Sequence, residues 1–401
     1  MSTSPLSAIE MAPRDPILGV TEAFVADTNP NKVNLGVGVY YDDNGKVPVL
    51  ECVRHAEKKM AEALAPRNYL PIDGMPAYNK AVQSLVFGAD SEVVKSGRAL
   101  TVQTLGGTGA LKVGGDFLRR LNPQSELWIS NPSWENHRAI FEYAGFKVNE
   151  YTYYHAPTRG VDFDGMLASL DKLPAGSVAV LHACCHNPTG ADLTPAQWEK
   201  VIEVVNKRGI MPFLDMAYQG FADGIDADAF AVRRFAEACP VLFVSTSFSK
   251  SLSLYGERVG ALTIVTQSKD EAARTLSQVK RVIRTNYSNP STHGAQAVTM
   301  VLTTPELRAQ WETELGQMRD RIKLMRSELV AQIRKVRADF HFGFVVQQRG
   351  MFSYSGLTKD QVAKLRAEHS IYAIDSGRIC IAALNSKNVS VVAEAIAKVL
   401  V

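Results

Sequence analysis

The sequence predicts an α/β fold, and three observations carry that expectation. Short apolar runs alternate with stretches of helical period. Polar residues cluster just after several of the runs, where open α/β sheets bind their ligands. Helix-start signals stand between the runs.

The candidate strands, in order, are Leu100–Gln103, Leu127–Ser130, Val178–Leu181, Pro212–Leu214, Val241–Val244 and Ala261–Val265. Gly106-Gly107-Thr108, Asn131, Asn187, Asp215 and the segment from Ser245 to Lys250 follow them. Thr194-Pro195-Ala196-Gln197 offers an N-cap, a proline in the first turn and a glutamine that can close a capping box. Thr358-Lys359-Asp360-Gln361 repeats the box. From Pro305 to about Val336, Leu307, Trp311, Leu315, Met318, Ile322, Met325, Leu329, Ile333 and Val336 recur at steps of three and four. These residues predict one long helix with a core face.

The chain has 401 residues and a formal charge of +3, enough length for two domains and no concentrated basic run to suggest nucleic acid. No apolar stretch is long enough for a membrane span, and the N-terminus lacks the pattern of a signal peptide. Five cysteines without CxxC spacing point to reduced thiols in a cytoplasm, with no disulfide framework or zinc site. Cys184 and Cys185 are consecutive; in a strand they would face opposite ways.

The segment from Ser247 to Gly260 carries the most chemistry. Lys250 sits among small hydroxyl residues with Arg258 eight positions on, and no acidic residue lies between Ser247 and Tyr255. Burial and nearby positive charge favour the neutral amine, which can form a Schiff base with an aldehyde. The hydroxyls and the arginine suit a phosphate. An aldehyde bearing a phosphate is pyridoxal 5′-phosphate. A lone lysine in a polar loop is more often a surface residue, so the rest of the chain must supply the other parts of a site.

It offers several. Gly106-Gly107-Thr108-Gly109-Ala110-Leu111 follows a strand and opens a helix, a place where backbone N–H groups attract phosphate. It matches neither GxGxxG nor GxxxxGK[ST], so a plain tight turn is equally compatible. Asn187, before Pro188, stands at a strand end, as a ring-oxygen donor or as part of an ordinary Asn-Pro turn. Asp215 ends an apolar run, where a carboxylate is costly without a partner. It could pair with a protonated pyridine nitrogen, with Tyr218 three residues on, or it could simply cap a helix. Arg284 and Arg378 each present a fork suited to a carboxylate, or to a structural ion pair.

Taken together, these segments closely resemble the class I, fold-type I pyridoxal-phosphate aminotransferases, in particular the aspartate and aromatic amino acid enzymes. The likeness runs from Val33-Asn34-Leu35-Gly36-Val37-Gly38-Val39-Tyr40 to Ser376-Gly377-Arg378. It implies a large domain with a mostly parallel central sheet sandwiched by helices, plus a smaller α/β domain built from both chain ends. The expected division is an N-terminal arm over 1–11, a small domain over 12–47 and 315–401, and a large cofactor domain over 48–314. By resemblance, Lys250 holds pyridoxal 5′-phosphate and is the catalytic base. Asp215 pairs with the ring nitrogen, supported by His137. Asn187 and Tyr218 bind the ring oxygen, and Trp134 stacks on the ring. Gly107, Thr108, Ser247 and Arg258 hold the phosphate. Arg378 binds the substrate α-carboxylate, with Gly38 and Asn187 near it, and Phe352, also a substrate-site residue, lines the closing small domain. Tyr69 and Arg284 reach the phosphate and the distal carboxylate from a neighbouring subunit, which implies a homodimer with shared sites.

The resemblance also implies a reaction: amino transfer between an amino acid and 2-oxoglutarate by a ping-pong route. Tyr41, Val47 and the segment from Ser251 to Glu257 look like the aromatic-type members. Asn68, Thr108 and Asn289 match the aspartate type. The expectation is dual use of aromatic amino acids and aspartate, with a strict aspartate enzyme as the alternative. A β-lyase or decarboxylase would have less reason to keep both Arg284 and Arg378. The failed GxGxxG weighs against a nicotinamide enzyme, and a non-enzymatic relative would be expected to have lost Lys250 or Asp215.

Overall fold

The computed structural model describes residues 4–12 and 16–400; residues 1–3 of the expected arm and 13–15 lie outside them. A seven-stranded sheet organises the chain. Its strands are β1 (Ala99–Leu105), β2 (Leu127–Asn131), β3 (Val148–Thr152), β4 (Val178–His182), β5 (Met211–Met216), β6 (Leu242–Ser247) and β7 (Val259–Val265), in the order β1-β7-β6-β5-β4-β2-β3. Only β7 runs antiparallel to its neighbours. Every position of β4, β6 and β7 is buried, which is why those strands read as near-continuous apolar runs. All six strands expected from the sequence are present. β3 escaped notice because it is a half-exposed edge strand, Val-Asn-Glu-Tyr-Thr, with polar residues facing out.

Alternate residues along a strand enter opposite layers. Phe213 and Phe243 join a core with Leu111, Phe117, Phe141 and Val279, while Leu214 and Val244 join a larger one with Trp198, Val201 and Phe235. The helices that supply these faces include α1 (Gly106–Leu121), α2 (Glu135–Tyr143), α3 (Pro195–Arg208) and α4 (Lys269–Asn286). α1 lies so close to the sheet that a Cβ on Gly114 would meet the Phe213 ring at 2.7 Å. The capping box of Thr194 and Gln197 starts α3 as expected.

Beyond the sheet, α5 (Pro305–Val336) is the expected long helix, followed by α6 (Lys359–His369), with its own capping box, and α7 (Val389–Val399), which packs on α5. The core face of α5 is the predicted one with two differences. Val336, the last helical residue, is 50% exposed. Arg326 is buried, its guanidinium donating to the carbonyls of Val345, Gly350 and Phe352. Distant parts of the chain meet here. Val33–Asn34 pairs in parallel with Ile371–Tyr372, and Phe352–Tyr354 pairs antiparallel with Arg378–Cys380.

All five cysteines are free and buried. Cys184 and Cys185 do not lie in a strand: they follow β4 in a bend, and Cys185 takes φ +52°. Their sulfur atoms therefore come within 4.8 Å of each other instead of facing apart. Among the described residues no helix is long and apolar enough to cross a membrane.

Leu329 on α5 is fully buried. Leu329→Ala is expected to cost about 2–5 kcal/mol, the usual range for a leucine cavity. Equilibrium denaturation in guanidinium checks this, and an unchanged midpoint would show that α5 does not bear on the core.

Candidate active site

One edge of the sheet gathers the polar strand ends. β1, β4, β5 and β6 all finish there, and the residues just past them line a cleft of about 230 Å³. Twelve residues singled out from the sequence meet in it: Gly38, Gly107, Thr108, Trp134, Asn187, Asp215, Tyr218, Ser247, Lys250, Arg258, Phe352 and Arg378. Tyr69 and Arg284 do not. Tyr69 is 91% exposed, and the exposed Arg284 donates to Ser288 on its own helix end. A single chain thus leaves the cleft without them.

Asp215 lies within β5 and caps no helix. It is buried, and burial pushes its carboxyl up, but the hydrogen bond from His137 and the electrostatics of its neighbours, Lys250 among them, outweigh burial and hold it below the usual carboxylate range. His137 Nε2 stands 2.9 Å from Asp215 Oδ2, and its Nδ1 is 2.9 Å from Ser133 Oγ. Asp215 is therefore an ionised acceptor on the floor of the cleft.

Lys250 sits three residues past β6, its Nζ 4.9 Å from the centre of the Tyr218 ring. Burial pushes the ammonium down to about 8; Asp215 opposes the shift and Arg258 adds to it. No acid within its own segment holds this lysine; the acid that does act on it comes from β5 through the fold.

An oxyanion cradle lies beside it. α1 begins at Gly106, so its first N–H groups face the cleft mouth with Thr108 among them. Gly106 has φ +70°, and a Cβ there would meet Arg258 Nη2 at 2.6 Å; one on Gly107 would meet Ser247 Cβ at 3.2 Å. The glycines are what allow the guanidinium and the hydroxyl to come this close. Arg258 Nη1 donates to the Tyr255 carbonyl at 3.1 Å and to Ser249 Oγ at 3.4 Å.

Opposite the cradle stands Arg378, fully buried. Nη1 donates to Asn187 Oδ1 at 3.3 Å and Nη2 to the Gly36 carbonyl at 2.6 Å, while Nε has no partner among the described residues. Its guanidinium lies 4.4 Å from the Phe352 ring centre, and Glu135 Oε2 is 3.9 Å away. An unpaired N–H on a buried guanidinium suits a carboxylate ligand. Gly38 is required by Phe352, whose Cζ would lie 2.6 Å from a Cβ.

Sequence reasoning missed His182 and Ser249, which also line the cleft. His182 neighbours Asp215 in strand register, its ring centre is 4.9 Å from that of His137, and neither nitrogen has a hydrogen-bond partner among the described residues. Burial, with His137 adding and Asp215 opposing, pushes it down to about 3, so it is neutral. The signal available was a second polar residue at the end of an adjacent strand. The ionised floor carboxylate, the buried amine and the oxyanion cradle together fit the ring nitrogen, aldehyde and phosphate of pyridoxal 5′-phosphate.

Two outcomes follow from this electrostatic arrangement. His137→Phe removes the bond that keeps Asp215 ionised, so the Asp215 carboxyl is expected to titrate higher, read by carbon-13 NMR; an unmoved titration contradicts the pairing. The folded state lowers the Lys250 pKa from 10.5 to about 8. The unfolded chain therefore binds more protons between those values, stability rises with pH through that window, and the full penalty applies below about 8. Lys250→Met is accordingly expected to stabilise the cofactor-free chain at pH 7, measured by denaturation, whereas a loss of stability contradicts it.

The family model described as "Aminotransferase class I and II" matches residues 30–396. The chain is 61% identical over 394 residues to the aspartate aminotransferase of Pseudomonas aeruginosa, covering 98% of this chain and 99% of that one. It is 49% identical over 387 residues to the aromatic-amino-acid aminotransferase of Escherichia coli, covering 96% and 98%. The crystal structure of an aromatic-amino-acid aminotransferase from Burkholderia pseudomallei, covalently bound to pyridoxal phosphate, superposes with a TM-score of 0.98 at 62% identity over all of both chains. A match across nearly the whole chain, in sequence and in shape, places this protein in the class I and II aminotransferase family.

Proposed function

We propose that this aminotransferase moves the α-amino group of aspartate or of an aromatic amino acid to 2-oxoglutarate, in two half-reactions at one cleft. The observation that carries the reading is the buried Lys250 amine set between the ionised Asp215 and the carboxylate-seeking Arg378. Its cofactor is pyridoxal 5′-phosphate. When bound, that group supplies an aldehyde to receive the amino group and a ring to delocalise the electron pair left on Cα.

The chain's own residues do the rest. Gly107, Thr108, Ser247 and Arg258 hold the phosphate in the cradle at the start of α1. Asp215, kept ionised by His137, holds a proton on the ring nitrogen. Asn187 and Tyr218 orient the ring oxygen, and Trp134 covers the ring. Arg378 binds the α-carboxylate with its fork, fixing which bond at Cα faces Lys250. Lys250 Nζ, with its lowered pKa, takes the Cα proton as general base and delivers it again as general acid. Phe352, beside Gly38, excludes water from the carboxylate side.

Tyr69 and Arg284 lie outside their own chain's cleft, and we assign them to the cleft of a second copy in a homodimer: Tyr69 to the phosphate, Arg284 to a distal carboxylate. The substrate range is dual. Arg284 serves aspartate, and the more apolar entrance at Tyr41 and Val47 admits aromatic side chains. The proposed division is an arm over 1–11, a small domain over 12–47 and 315–401, and a large domain over 48–314, supported by the pairing of Val33–Asn34 with Ile371–Tyr372. Five free, buried cysteines suit a reducing cytoplasm.

The test is an assay of aspartate, tyrosine and phenylalanine, each against 2-oxoglutarate, for the wild type and Arg284→Ala. The wild type is expected to turn over all three. The variant is expected to lose about 100-fold or more in kcat/KM for aspartate, the scale of a lost charged fork, and to keep most of its aromatic activity. Negligible tyrosine and phenylalanine turnover beside aspartate would instead identify a dicarboxylate specialist.

A further inference from the structure

Asn187 stands on the loop between β4 and α3, and the course of that loop decides where its amide lies. The loop turns at Cys185, whose φ of +52° is a left-handed conformation that a residue with a Cβ rarely adopts. Such a residue persists only where its surroundings hold it.

Asp192 supplies the hold. Its Oδ2 accepts the N–H of Cys185 at 2.7 Å, and its Oδ1 accepts the N–H of His186 at 2.8 Å. The two donors are consecutive and flank the left-handed residue. Successive N–H groups around such a turn form a concave seat for an anion; here the anion is a side chain of the same loop. Burial pushes the Asp192 carboxyl up to about 6, and the two N–H bonds and Arg349 oppose the rise. In slightly alkaline solution it is ionised, and each oxygen serves one donor.

Other contacts fix the remaining sides of the loop. His186 Nε2 is 2.9 Å from Ser130 Oγ and its Nδ1 is 2.8 Å from Thr189 Oγ1. The backbone N–H of Arg349 donates to the Gly190 carbonyl at 2.7 Å. Asp192 acts on the backbone of the turn itself, one residue before Asn187. Asn187 Oδ1 in turn accepts from Arg378 Nη1 at 3.3 Å. Asp192 is not among the residues that line the cleft, so its influence there passes through the loop.

We propose that Asp192 is a positioning residue for the substrate carboxylate: by seating the turn at Cys185 and His186 it sets the Asn187 amide, and through Asn187 the fork of Arg378. The inference rests on the reading of Arg378 as the binder of the α-carboxylate. Asp192→Asn keeps the size of the side chain but puts an NH₂ where one of the two N–H groups needs an acceptor.

Calorimetric titration of the holoenzyme with succinate, and separately with 3-phenylpropionate, in slightly alkaline buffer tests this. Both ligands carry a carboxylate for Arg378 and lack an amino group to react. Asp192→Asn is expected to weaken both by a similar factor, about tenfold, the scale of a lost hydrogen bond to a charged group. Glycine enters the left-handed region without penalty, so in a Cys185→Gly background the same substitution is expected to cost about threefold or less. Should Asp192→Asn alone fail to fold, recovery of folding and binding in the double variant supports the inference in the same way. Equal affinities in the wild type and Asp192→Asn overturn it, as does a tenfold loss undiminished by the glycine, or a double variant that does not fold. If the wild type binds neither ligand, the reading of Arg378 falls and this inference with it; wild-type binding beside an unaffected variant overturns this inference alone.

Discussion

A carboxylate that stays ionised inside the protein is the constraint on which the rest of the site depends. Burial pushes the Asp215 carboxyl towards its neutral form. His137 prevents this with a 2.9 Å hydrogen bond, and Ser133 fixes the His137 ring from its other side. That chain of contacts requires α2 to begin where it does, with Trp134 at its N-cap, so the Trp134 side chain and the support of the carboxylate come from one turn of backbone. The Asp215 charge in turn reaches Lys250, whose amine is pulled down by burial and partly restored by Asp215. The balance leaves an amine that can both accept and release a proton near neutral pH.

The sheet converts this local chemistry into geometry. Parallel strands end on one edge, so residues far apart in sequence arrive together without long loops. β7 is the exception in direction. Its antiparallel course lets Arg258 enter the site from the strand's beginning while Ser247 and Lys250 enter from the end of β6, and a Cβ on Gly260 would collide with the Gly106 backbone at 2.3 Å. The cradle is therefore a product of strand direction and three close glycine approaches.

Much of this was legible in the sequence because its signals are local. Continuous apolar runs mark buried strands, a capping box marks the start of α3, and nine positions of helical period mark α5. Several cleft residues, among them Gly107, Thr108, Asn187, Asp215 and Lys250, stood out because they follow apolar runs in the sequence. What stayed hidden depends on tertiary neighbours. β3 is an edge strand whose outward residues are polar. His182 becomes informative only when its strand is placed beside that of Asp215. Arg326 reads as an ordinary exposed helix residue until the carbonyls of the segment from Val345 to Phe352 close around it. The adjacent thiols of Cys184 and Cys185 meet because the chain bends after β4 and Cys185 takes a left-handed conformation. Arg284 showed in the sequence only as a fork suited to a carboxylate or to an ion pair, and Tyr69 carried no local signal; only the family resemblance pointed to it.

The proposed chemistry needs one amine, that of Lys250, to carry the cofactor. Borohydride reduction of the holoenzyme, followed by proteolysis and mass spectrometry, fixes the carrier lysine covalently. The account predicts a phosphopyridoxyl group on the peptide containing Lys250 and on no other lysine. Label on a different lysine, or a fully unlabelled Lys250 peptide from a preparation that holds cofactor, would contradict it.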